Sequence, residues 1–586
     1  MLTLGHRARV VILAALFAML ALMLFTRRTH AAWSADPVEV YATTALCPLV
    51  SAAADATRGA LIVWQEETAS GGLLRASHLL ANGDVDAAWG APVLLSTADA
   101  ARSALGSVSD GAGGAYVWWM EGTQLYLTRL AAEGAVATGW PARGRQLGTL
   151  ASAGSRPVVL ADGSGGVYAA WLTSAILPQT WVTIRAHHLG PANTAKDGWP
   201  NSGRTLAETQ ANSEQASTFG IGAAGDGGLW LAYATTTELE PGVYSPGEVR
   251  VARYTGAGLP ASGWTASGVS IAEFRGDLLA GRPEWGITPP SRLAAIAEDG
   301  SGGAIVLSGL PYAYDEFTIS ADYRLHRVNS LGTLDPGWPV EGRPATTLGF
   351  PMPGSGSADL SLRLHADGAG GVHAGRPSYF LHGGSNYSFD RYSELGLPVG
   401  ESASAGDHGI ESASRGDGGV VVGSYFPHGP SGIYQPSAFV GLNQTAPGGS
   451  FIEWHDDPVV QWYGDIGLAA TGDGGTIFAW SQVKERFGVF AIRMNPAGQV
   501  TGVPPGTASR ALRVWFARGT GVRVTGGSGR VSLSLHDLTG RQLARGESAD
   551  AGEWTVPGTE GLPSGMYFAK AVANGQVSRA KVVVIR

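Results

Sequence analysis

The stretch DGAGGAYVWW at residues 110–119 has the form of a tight turn followed by the second strand of a β-hairpin. Asp-Gly and Gly-Gly steps suit such a turn because glycine adopts a positive φ without steric cost. The same form returns as DGSGGVYAAW (162–171), DGSGGAIVLS (299–308) and DGAGGVHAG (367–375). One hairpin repeated along a chain predicts a fold built from repeated β-units.

Alignment on the turn aspartate gives eight copies, spaced 50 to 73 residues apart: Asp55, Asp110, Asp162, Asp226, Asp299, Asp367, Asp417 and Asp473. A third strand and a turn follow each hairpin, as in LYLTRLAAEGAVATGWP (125–141), and a short fourth strand such as RQLGTL (145–150) comes next. With 86 Gly and 32 Pro, turns are frequent, as many short strands require. Units of four strands predict an all-β chain. Eight such units predict an eight-bladed β-propeller over residues 33–506.

The last copy has strands at TIFAWS (476–481) and VFAIRM (489–494), but no convincing fourth strand before Pro504. A spare strand, PVEVYAT, lies at residues 37–43, ahead of the first copy. A ring with an open edge exposes unpaired strand backbone. We therefore expect the N-terminal strand to complete the eighth blade.

Residues 1–32 have the order of a secretory signal peptide. Arg7 and Arg9 precede an apolar run from Val10 to Phe25, and small residues follow in THAA. The alternative is an uncleaved anchor, although 16 apolar residues are short against the roughly 20 of a spanning helix. With the signal removed, we expect an exported chain without a stable membrane span.

The formal net charge of −8 argues against nucleic acid as a partner, because a phosphate backbone attracts basic surfaces. Cys47 is the only cysteine, so the exported chain has no internal disulfide and depends on its core.

Antiparallel strands place successive loops on alternate faces of a blade. The DGxGG turns and the GWP turns therefore share one face, here called the turn face, and the second and fourth loops share the other, the loop face. Loops on the loop face vary in length and content, which is typical of binding loops on a rigid scaffold. Aromatic residues beside carboxylates there suit a sugar site, although exposed loops of an acidic protein also contain them by chance; the candidate ligand-binding residues are Tyr312, Tyr314, Asp315, Glu316, Phe317, Trp454, His455, Asp456, Asp457 and Trp462.

Motifs for catalysis and metal binding are missing from the sequence. It contains no H-E-x-x-H, G-x-S-x-G or P-loop motif. NGDVDAAW (82–89) lacks the glycine and the distal acid of a calcium loop, so it is interpreted as a turn, with structural calcium elsewhere left open. We expect a shared structural contact for the recurring third-strand arginines (Arg129, Arg253, Arg327, Arg493) and solvated loops for the histidines of copies six and seven (His365, His373, His382, His408, His428).

Residues 507–586 have a different pattern, with strands separated by glycine turns, which predicts a small Ig-like β-sandwich. LSLHDLTGRQLA, LPSGMYFAKA and the closing KVVVIR resemble the type A sorting domain of the bacterial type IX (Por) secretion system. Flagellar hook-capping proteins contain a related sandwich. The resemblance implies export to the outer face of the outer membrane or beyond it, with the secretion machinery as partner, and it places Asp537, Gly540, Arg541, Gly565, Tyr567 and Lys581 at motif positions. The repeats are also similar to those of uncharacterised exported proteins with DGxGG arrays.

Three functions are compatible with this organisation. The first is a non-catalytic propeller, secreted or at the cell surface, that binds a glycan or a protein on its loop face. The second is a glycoside hydrolase or polysaccharide lyase on the same scaffold, whose paired carboxylates would have to meet across the fold. The third is a purely structural surface protein. The absence of a recognisable catalytic set favours binding over catalysis, and the sequence identifies no cofactor.

Overall fold

The computed structural model divides the chain into two compact units, Met1–Thr501 and Gly502–Arg586. It describes residues 33, 37–96, 99–151, 155–174, 181–210, 219–235, 238–240, 243–244, 248–273, 293–315, 318–345, 350–351, 362–380, 384–399, 403–405, 408–415, 418–428, 433–440, 450–453, 461–483, 487–495, 513–517, 521–525, 531–537, 541–548, 554–559, 561–563, 565–573 and 576–584. The predicted signal peptide, residues 1–32, lies outside this part. Among the described residues, no helix has the length and apolar character needed to cross a membrane.

The first strand within the described residues, β1 (Val38–Thr43), precedes a series of antiparallel sheets of four strands. Sheet 1 comprises β2 (Val50–Ala54), β3 (Ala60–Thr68), β4 (Gly71–Leu79) and β5 (Val93–Ser96), and sheet 2 comprises β6 (Ala104–Ser109), β7 (Ala115–Glu121), β8 (Gln124–Leu130) and β9 (Arg145–Thr149). Sheet 3 comprises β10 (Val158–Ala161), β11 (Val167–Ser174), β12 (Trp181–Leu189) and β13 (Arg204–Gln210). Sheet 4 comprises β14 (Phe219–Ala223), β15 (Leu229–Thr235), β18 (Glu248–Tyr254) and β19 (Val269–Glu273), with a side pair of β16 (Glu238–Glu240) and β17 (Val243–Tyr244) between β15 and β18.

The later sheets continue the series. Sheet 5 comprises β20 (Leu293–Glu298), β21 (Ala304–Asp315), β22 (Thr318–Val328) and β23 (Arg343–Pro344), with β24 (Phe350–Pro351) also paired to β22. Sheet 6 comprises β25 (Arg363–Ala366), β26 (Val372–Phe380), β27 (Gly384–Tyr392) and β28 (Ala403–Ala405), and sheet 7 comprises β29 (His408–Ser414), β30 (Val420–His428), β31 (Ile433–Val440) and β32 (Ser450–Glu453). Sheet 8 comprises β33 (Gln461–Ala470), β34 (Thr476–Val483), β35 (Phe487–Met494) and, from the other end of the chain, β1.

Burial in sheet 2 shows why these segments form strands. Tyr116, Val117, Trp119 and Met120 of β7 are all buried, although successive side chains of a strand point to opposite faces. Tyr116 packs toward sheet 3, whereas Val117 and Trp119 pack toward sheet 1. Each sheet is therefore covered on both faces by its neighbours, and a nearly continuous apolar run is what its second strand needs.

The first strand of each sheet contacts the first strand of the next sheet, from β2 through β6, β10, β14, β20, β25 and β29 to β33. β33 contacts β2 in turn, so the eight sheets found within the described residues form a closed series. The predicted all-β class is confirmed, and helical structure among the described residues amounts to one 3₁₀ turn, Ala87–Trp89.

The predicted role of the N-terminal strand is confirmed. β1 pairs antiparallel with β35, from Val38 opposite Ala491 to Thr43 opposite Phe487. Trp33 and Val40 are buried in a core that contains Ile62 and Trp64 of sheet 1 together with strand residues of sheet 8. The beginning and the end of the repeat region are thus packed into one core.

The second unit contains two antiparallel sheets. One is formed by β36 (Arg513–Ala517), β37 (Gly521–Thr525) and β40 (Trp554–Thr555), and the other by β38 (Val531–His536), β39 (Gln542–Ser548), β41 (Gly565–Ala573) and β42 (Gln576–Val584). β36 contacts β42, and Val522, Leu533, Leu535 and Val556 are buried.

Candidate functional site

The aspartate of the DGxGG turn organises the turn face. In sheet 2, the Asp110 carboxylate accepts hydrogen bonds from the backbone N–H groups of Ala112 and Gly114, each at 2.8 Å. It also accepts from Nε and Nη2 of Arg129, at 2.9 and 2.6 Å. The Asp110 side chain is fully buried, so these four bonds replace its hydration shell.

The alignment of the repeats on their aspartates is wrong in three of the eight copies. The residue that closes the turn with its backbone N–H is an aspartate in sheets 1, 2, 3, 5 and 6, but it is Ala224 in sheet 4, Arg415 in sheet 7 and Thr471 in sheet 8. Asp226 and Asp473 lie two residues further along, at the third position of the turn, and Asp417 lies outside the described residues. The side chain of Asp226 is 60% exposed, in contrast to that of Asp110, because the third position points toward solvent.

The predicted structural contact of the third-strand arginines is confirmed, and the structure extends the set. Arg253 and Arg493 donate to the shifted Asp226 and Asp473, at 2.8 and 2.5 Å. The other pairs are Arg129 with Asp110, Arg327 with Asp299, Arg391 with Asp367, His78 with Asp55 and His188 with Asp162. Sequence reasoning missed the last three, although His78, His188 and Arg391 occupy the same position of the third strand.

The two histidines at this position differ in electrostatics. Burial opposes protonation of His78, but its contacts with Asp55 and Asp86, at 2.8 and 2.9 Å, raise its pKa above the ordinary value. For His188, burial prevails over the contact with Asp162, and its pKa is lowered. The same repeat position therefore raises the pKa of the imidazole in sheet 1 and lowers it in sheet 3.

Tryptophans join neighbouring sheets on the turn face. The indole Nε1 of each donates to a backbone carbonyl in the third-strand turn of the next sheet, at 2.8 to 3.2 Å; the donors are Trp33, Trp89, Trp140, Trp199, Trp264 and Trp338. Gly134 shows how tightly the ring fits, since an added Cβ would lie 2.6 Å from Cδ2 of Trp89, and its φ of +79° also favours glycine. The turn face is thus a scaffold of repeated structural contacts.

Trp33 was not anticipated as a member of this series. It donates to the carbonyl of Ala81 at 2.9 Å, and it precedes β1 by the same five residues that separate Trp140 from β9. The sequence contained a usable signal, because AAW at 31–33 repeats AAW at 87–89 and each is followed by a strand.

The loop face differs most between sheets in the length of its hairpins. The central hairpin of sheet 5 is built from strands of 12 and 11 residues, compared with seven and seven in sheet 2. Five additional residues at about 3.3 Å each extend the sheet 5 hairpin by roughly 16 Å. The candidates Tyr312, Tyr314 and Asp315 lie in this extension, where Tyr312 pairs with Ser320 and Asp315 with Thr318.

Of the other candidate ligand residues, only Trp462 lies within the described residues. Glu316, Phe317, Trp454, His455, Asp456 and Asp457 lie outside the described residues. Trp462 lies near the start of β33, the first strand of sheet 8, and pairs with Gln482. The backbone therefore places three candidates together in one hairpin of sheet 5, whereas Trp462 belongs to a different sheet.

A buried ion pair at the boundary of sheets 5 and 6 was also missed. Arg376 lies five residues after the turn glycine Gly371, where sheets 1, 2 and 3 have Trp64, Trp119 and Trp171. Its Nη2 donates to Asp390 at 2.9 Å with both side chains more than nine-tenths buried, and its guanidinium carbon lies 5.9 Å from the ring centre of Tyr323. Burial of an ion pair carries a desolvation cost that an aromatic residue avoids. The boundary of sheets 5 and 6 therefore has a buried ion pair at a position where sheets 1, 2 and 3 have a buried tryptophan.

The expectation that His365 and His373 lie in solvated loops is wrong. Both lie in strands, where they pair with each other in register. His373 is fully buried, and its Nε2 lies 2.9 Å from the carbonyl of Gly418 in sheet 7. The ring nitrogens of His365 lie 2.8 and 3.0 Å from the hydroxyls of Ser412 and Ser414, and burial lowers its pKa to about 3. His408 and His428 also lie in strands, and His382 is outside the described residues.

No group of three or more His, Cys, Asp or Glu residues that could hold a metal ion occurs within the described part of the chain. Several titratable side chains with shifted pKa values belong to the structural contacts above, among them Asp55, His78 and Asp162. Cys47 is buried, and burial raises the pKa of its thiol to about 12, so it is a poor nucleophile.

Of the motif residues described in the C-terminal unit, Asp537 and Arg541 form a turn, and Gly565, Tyr567 and Lys581 lie in strands. Asp537 accepts hydrogen bonds from the backbone N–H of Arg541 at 3.0 Å and from its Nε at 3.2 Å, which closes the β38–β39 turn. The buried Tyr567 donates its hydroxyl to the carbonyl of Pro563 at 2.8 Å. Gly565 begins β41, Lys581 pairs with Phe568 across β41 and β42, and Gly540 lies outside the described residues.

No protein-family model and no curated protein matches this chain. Among solved structures, it is similar to the β-propeller domain of the Trilobed protease from Pyrococcus furiosus, with 10% identity, coverage of 71% of this chain and 99% of that one, and a TM-score of 0.33. PorZ, a surface component of the type IX secretion system of Porphyromonas gingivalis, is 10% identical over 93% of this chain and 100% of its own, with a TM-score of 0.15. The polysaccharide lyase Uly1 is 11% identical over 65% of this chain and 88% of its own, with a TM-score of 0.35.

Proposed function

We propose that the first unit is an eight-bladed β-propeller, exported or displayed at the cell surface, that binds a glycan or a protein on its loop face. Sheets 1 to 8 are its blades, and the second unit is an Ig-like sorting domain that directs export. The closed series of four-stranded sheets and the resemblance of residues 507–586 to sorting domains support this assignment.

The extended hairpin of sheet 5 carries the proposal. Its strands exceed those of sheet 2 by four to five residues, whereas the turn face repeats the same contacts from sheet to sheet. A scaffold that keeps one face constant and extends a hairpin on the other has the usual organisation of a binding protein. Tyr312, Tyr314 and Asp315 supply rings for stacking on sugars and a carboxylate that accepts from hydroxyl groups.

The test is a glycan-array screen of the chain from residue 33 to 586, scored for retention and for released sugar. Retention without release is the expected result. Replacement of residues 310–322 by a two-residue turn, as in sheet 2, should abolish retention. The core residues Ile305, Leu307 and Leu325 stay in place, so the shortened variant should still unfold cooperatively. Glu133→Ala on the turn face is the matched control and should retain ligand. Release of sugar would show an enzyme instead, and retention by the shortened variant would contradict this site.

A further inference from the structure

The two units of the chain differ in charge. Residues 502–586 contain eleven Lys and Arg residues and five Asp and Glu residues, which gives a formal net charge of +6 in a chain whose total is −8. The first unit is therefore strongly acidic, at −14, and the second is basic. A charge asymmetry of this kind within one chain indicates that the basic part meets an anionic partner.

The four-stranded sheet of the second unit has one buried face and one exposed face. Leu533 and Leu535 of β38 are buried, as is Tyr567 of β41. Successive residues of a strand point to opposite faces of the sheet. The neighbours of Tyr567 along β41 accordingly face outward, where Phe568 is 46% exposed and Lys570 is exposed as well.

The strand register places basic residues in one row across the exposed face. Ser534 of β38 pairs with Arg545 of β39 on one side and with Lys570 of β41 on the other. Lys570 in turn pairs with Arg579 of β42. We call these four residues the basic row, and each is the cross-strand partner of the next, so the row is contiguous. Neighbouring strands lie about 4.8 Å apart, so the row extends over roughly 14 Å.

The next row on the same face adds an aromatic residue. Phe568 pairs with His536 of β38 and with Lys581 of β42. It precedes Lys570 by two residues on β41, which corresponds to about 7 Å along the strand. An exposed ring therefore lies directly beside the basic row.

The basic row is unfavourable for the sheet on its own. Like charges directly opposite each other on neighbouring strands destabilise a sheet, and Lys570 is opposite Arg579. Glu547 offsets the charge of Arg545, at a distance of 2.9 Å. Within the described part of the second unit, Lys570 takes part in no ion pair. An anionic ligand that lies along the row would relieve this repulsion.

We propose that the exposed face of this sheet binds a linear anionic polysaccharide along the basic row. A straight row of cations matches a ligand with anionic groups at intervals along its length, and Phe568 supplies an aromatic face that stacks on a sugar ring. An acidic protein is a weaker match, because lysine is depleted at the centre of protein interfaces and Lys570 lies inside the row. The site belongs to the second unit and does not depend on the ligand of the loop face.

The test measures binding of the chain from residue 33 to 586 to polygalacturonate, dextran sulfate and neutral dextran. Binding of either anionic polymer without binding of neutral dextran is the expected result, and the polymer that binds more tightly identifies the anionic group. Lys570→Gln should weaken this binding about fivefold, and Phe568→Ala about threefold. Arg541→Gln is the matched control, because it removes the same charge from an exposed side chain in the β38–β39 turn, outside the basic row. It should change the affinity less than about twofold.

A stability measurement separates ligand binding from folding. Lys570→Gln should leave the melting temperature of the free chain unchanged or raise it, because the substitution removes a like-charge contact. Equal affinities of Lys570→Gln and Arg541→Gln for the anionic polymers would overturn the proposal, as would the absence of binding to both polymers. Binding of polyglutamate as tightly as polygalacturonate would also overturn it, in favour of an acidic protein. Loss of polygalacturonate binding on replacement of residues 310–322 would place the anion site on the loop face instead.

Discussion

Sheets 2 and 8 have the same four-stranded plan but are assembled from different lengths of chain. Sheet 2 uses one continuous segment, Ala104–Thr149, whereas sheet 8 combines Gln461–Met494 with β1 and Trp33 from the other end of the repeat region. Both sheets use a tryptophan, a turn aspartate and a third-strand arginine. The comparison teaches that a repeat is defined here by its contacts and not by chain continuity.

Deletion of residues 33–43 should have the largest effect on stability, and it should act on sheet 8 and not on sheet 2. It removes the strand that covers β35 and the Trp33 contact, and it exposes the core between sheets 8 and 1. We expect the melting temperature of the first unit to fall by about 10 °C or more, measured by calorimetry. A synthetic peptide of residues 33–44 should restore part of the loss. Unchanged melting would show that sheet 8 does not need the N-terminal strand.

Replacement of the tryptophans tests whether the two sheets are equivalent on the turn face. Trp33→Ala and Trp140→Ala each remove a buried ring and its hydrogen bond, so each should cost about 3 to 5 kcal/mol in the free energy of unfolding. Trp89→Ala is the graded control and should cost less, because Trp89 is only partly buried. Denaturant unfolding measures all three. A small effect for Trp33 alone would mean that the packing of its ring and its hydrogen bond to Ala81 contribute little to stability.

The turn aspartates of sheets 2 and 8 should contribute different amounts to the free energy of unfolding. Asp110→Ala removes a fully buried carboxylate that accepts four hydrogen bonds, for a cost of about 2 to 4 kcal/mol. Asp473→Ala should cost about 1 kcal/mol, because the Asp473 side chain is 29% exposed at the shifted position. Equal costs in a denaturant titration would contradict the distinction between the two turn positions.

The smallest expected effect concerns the acid sensitivity of the closing strand. Burial opposes ionisation of Glu66, but hydrogen bonds from Thr43, Arg75 and Tyr41 prevail and lower its pKa. A carboxyl group whose pKa is lower in the folded state stabilises the fold at pH values above its unfolded-state pKa. This contribution is lost as the pH falls through its folded-state pKa. Glu66→Gln should therefore cost about 1 kcal/mol at pH 7 and progressively less below pH 4.5. A difference that persists unchanged in acid would rule out ionisation of Glu66 as its source.

The sequence was informative about the turn face for a physical reason. Tight turns and buried strands restrict residue choice at every copy, so eight repetitions reveal the constraint even when single copies vary. The pairing of β1 with sheet 8 followed from the missing fourth strand alone. Trp33 was missed because a single tryptophan outside the eight copies lacks the turn that accompanies the others.

The two-residue displacement of Asp226 and Asp473 escaped sequence reasoning for a different reason. Strand side chains alternate with a period of two, so an error of two residues leaves the inward and outward faces of the next strand unchanged. The distinction appears only in the hydrogen bonds of the turn, where Ala224 and Thr471 occupy the position of Asp110. The Arg376–Asp390 pair was likewise hidden, because the sequence shows an arginine without showing which residue faces it.

The loop face could be predicted only in part. Hairpin length is readable from the spacing of the repeats, and the extension of sheet 5 follows from it. Contacts between loops of different sheets depend on tertiary geometry, so the ligand-binding roles of the two candidate clusters, 312–317 and 454–462, could not be deduced and stay predictions.

The pairing of β1 with β35 has a consequence for the order in which the chain folds. The partners of β1 come about 450 residues later, so the ring cannot close until nearly all of the first unit has been synthesised. At roughly 5 to 20 residues per second, the first strand waits for tens of seconds or longer. During this interval, β1 and the apolar surface of sheet 1 lack their partners from sheet 8 and can contact other chains. Closure is therefore a late and nonlocal step in the folding of the first unit.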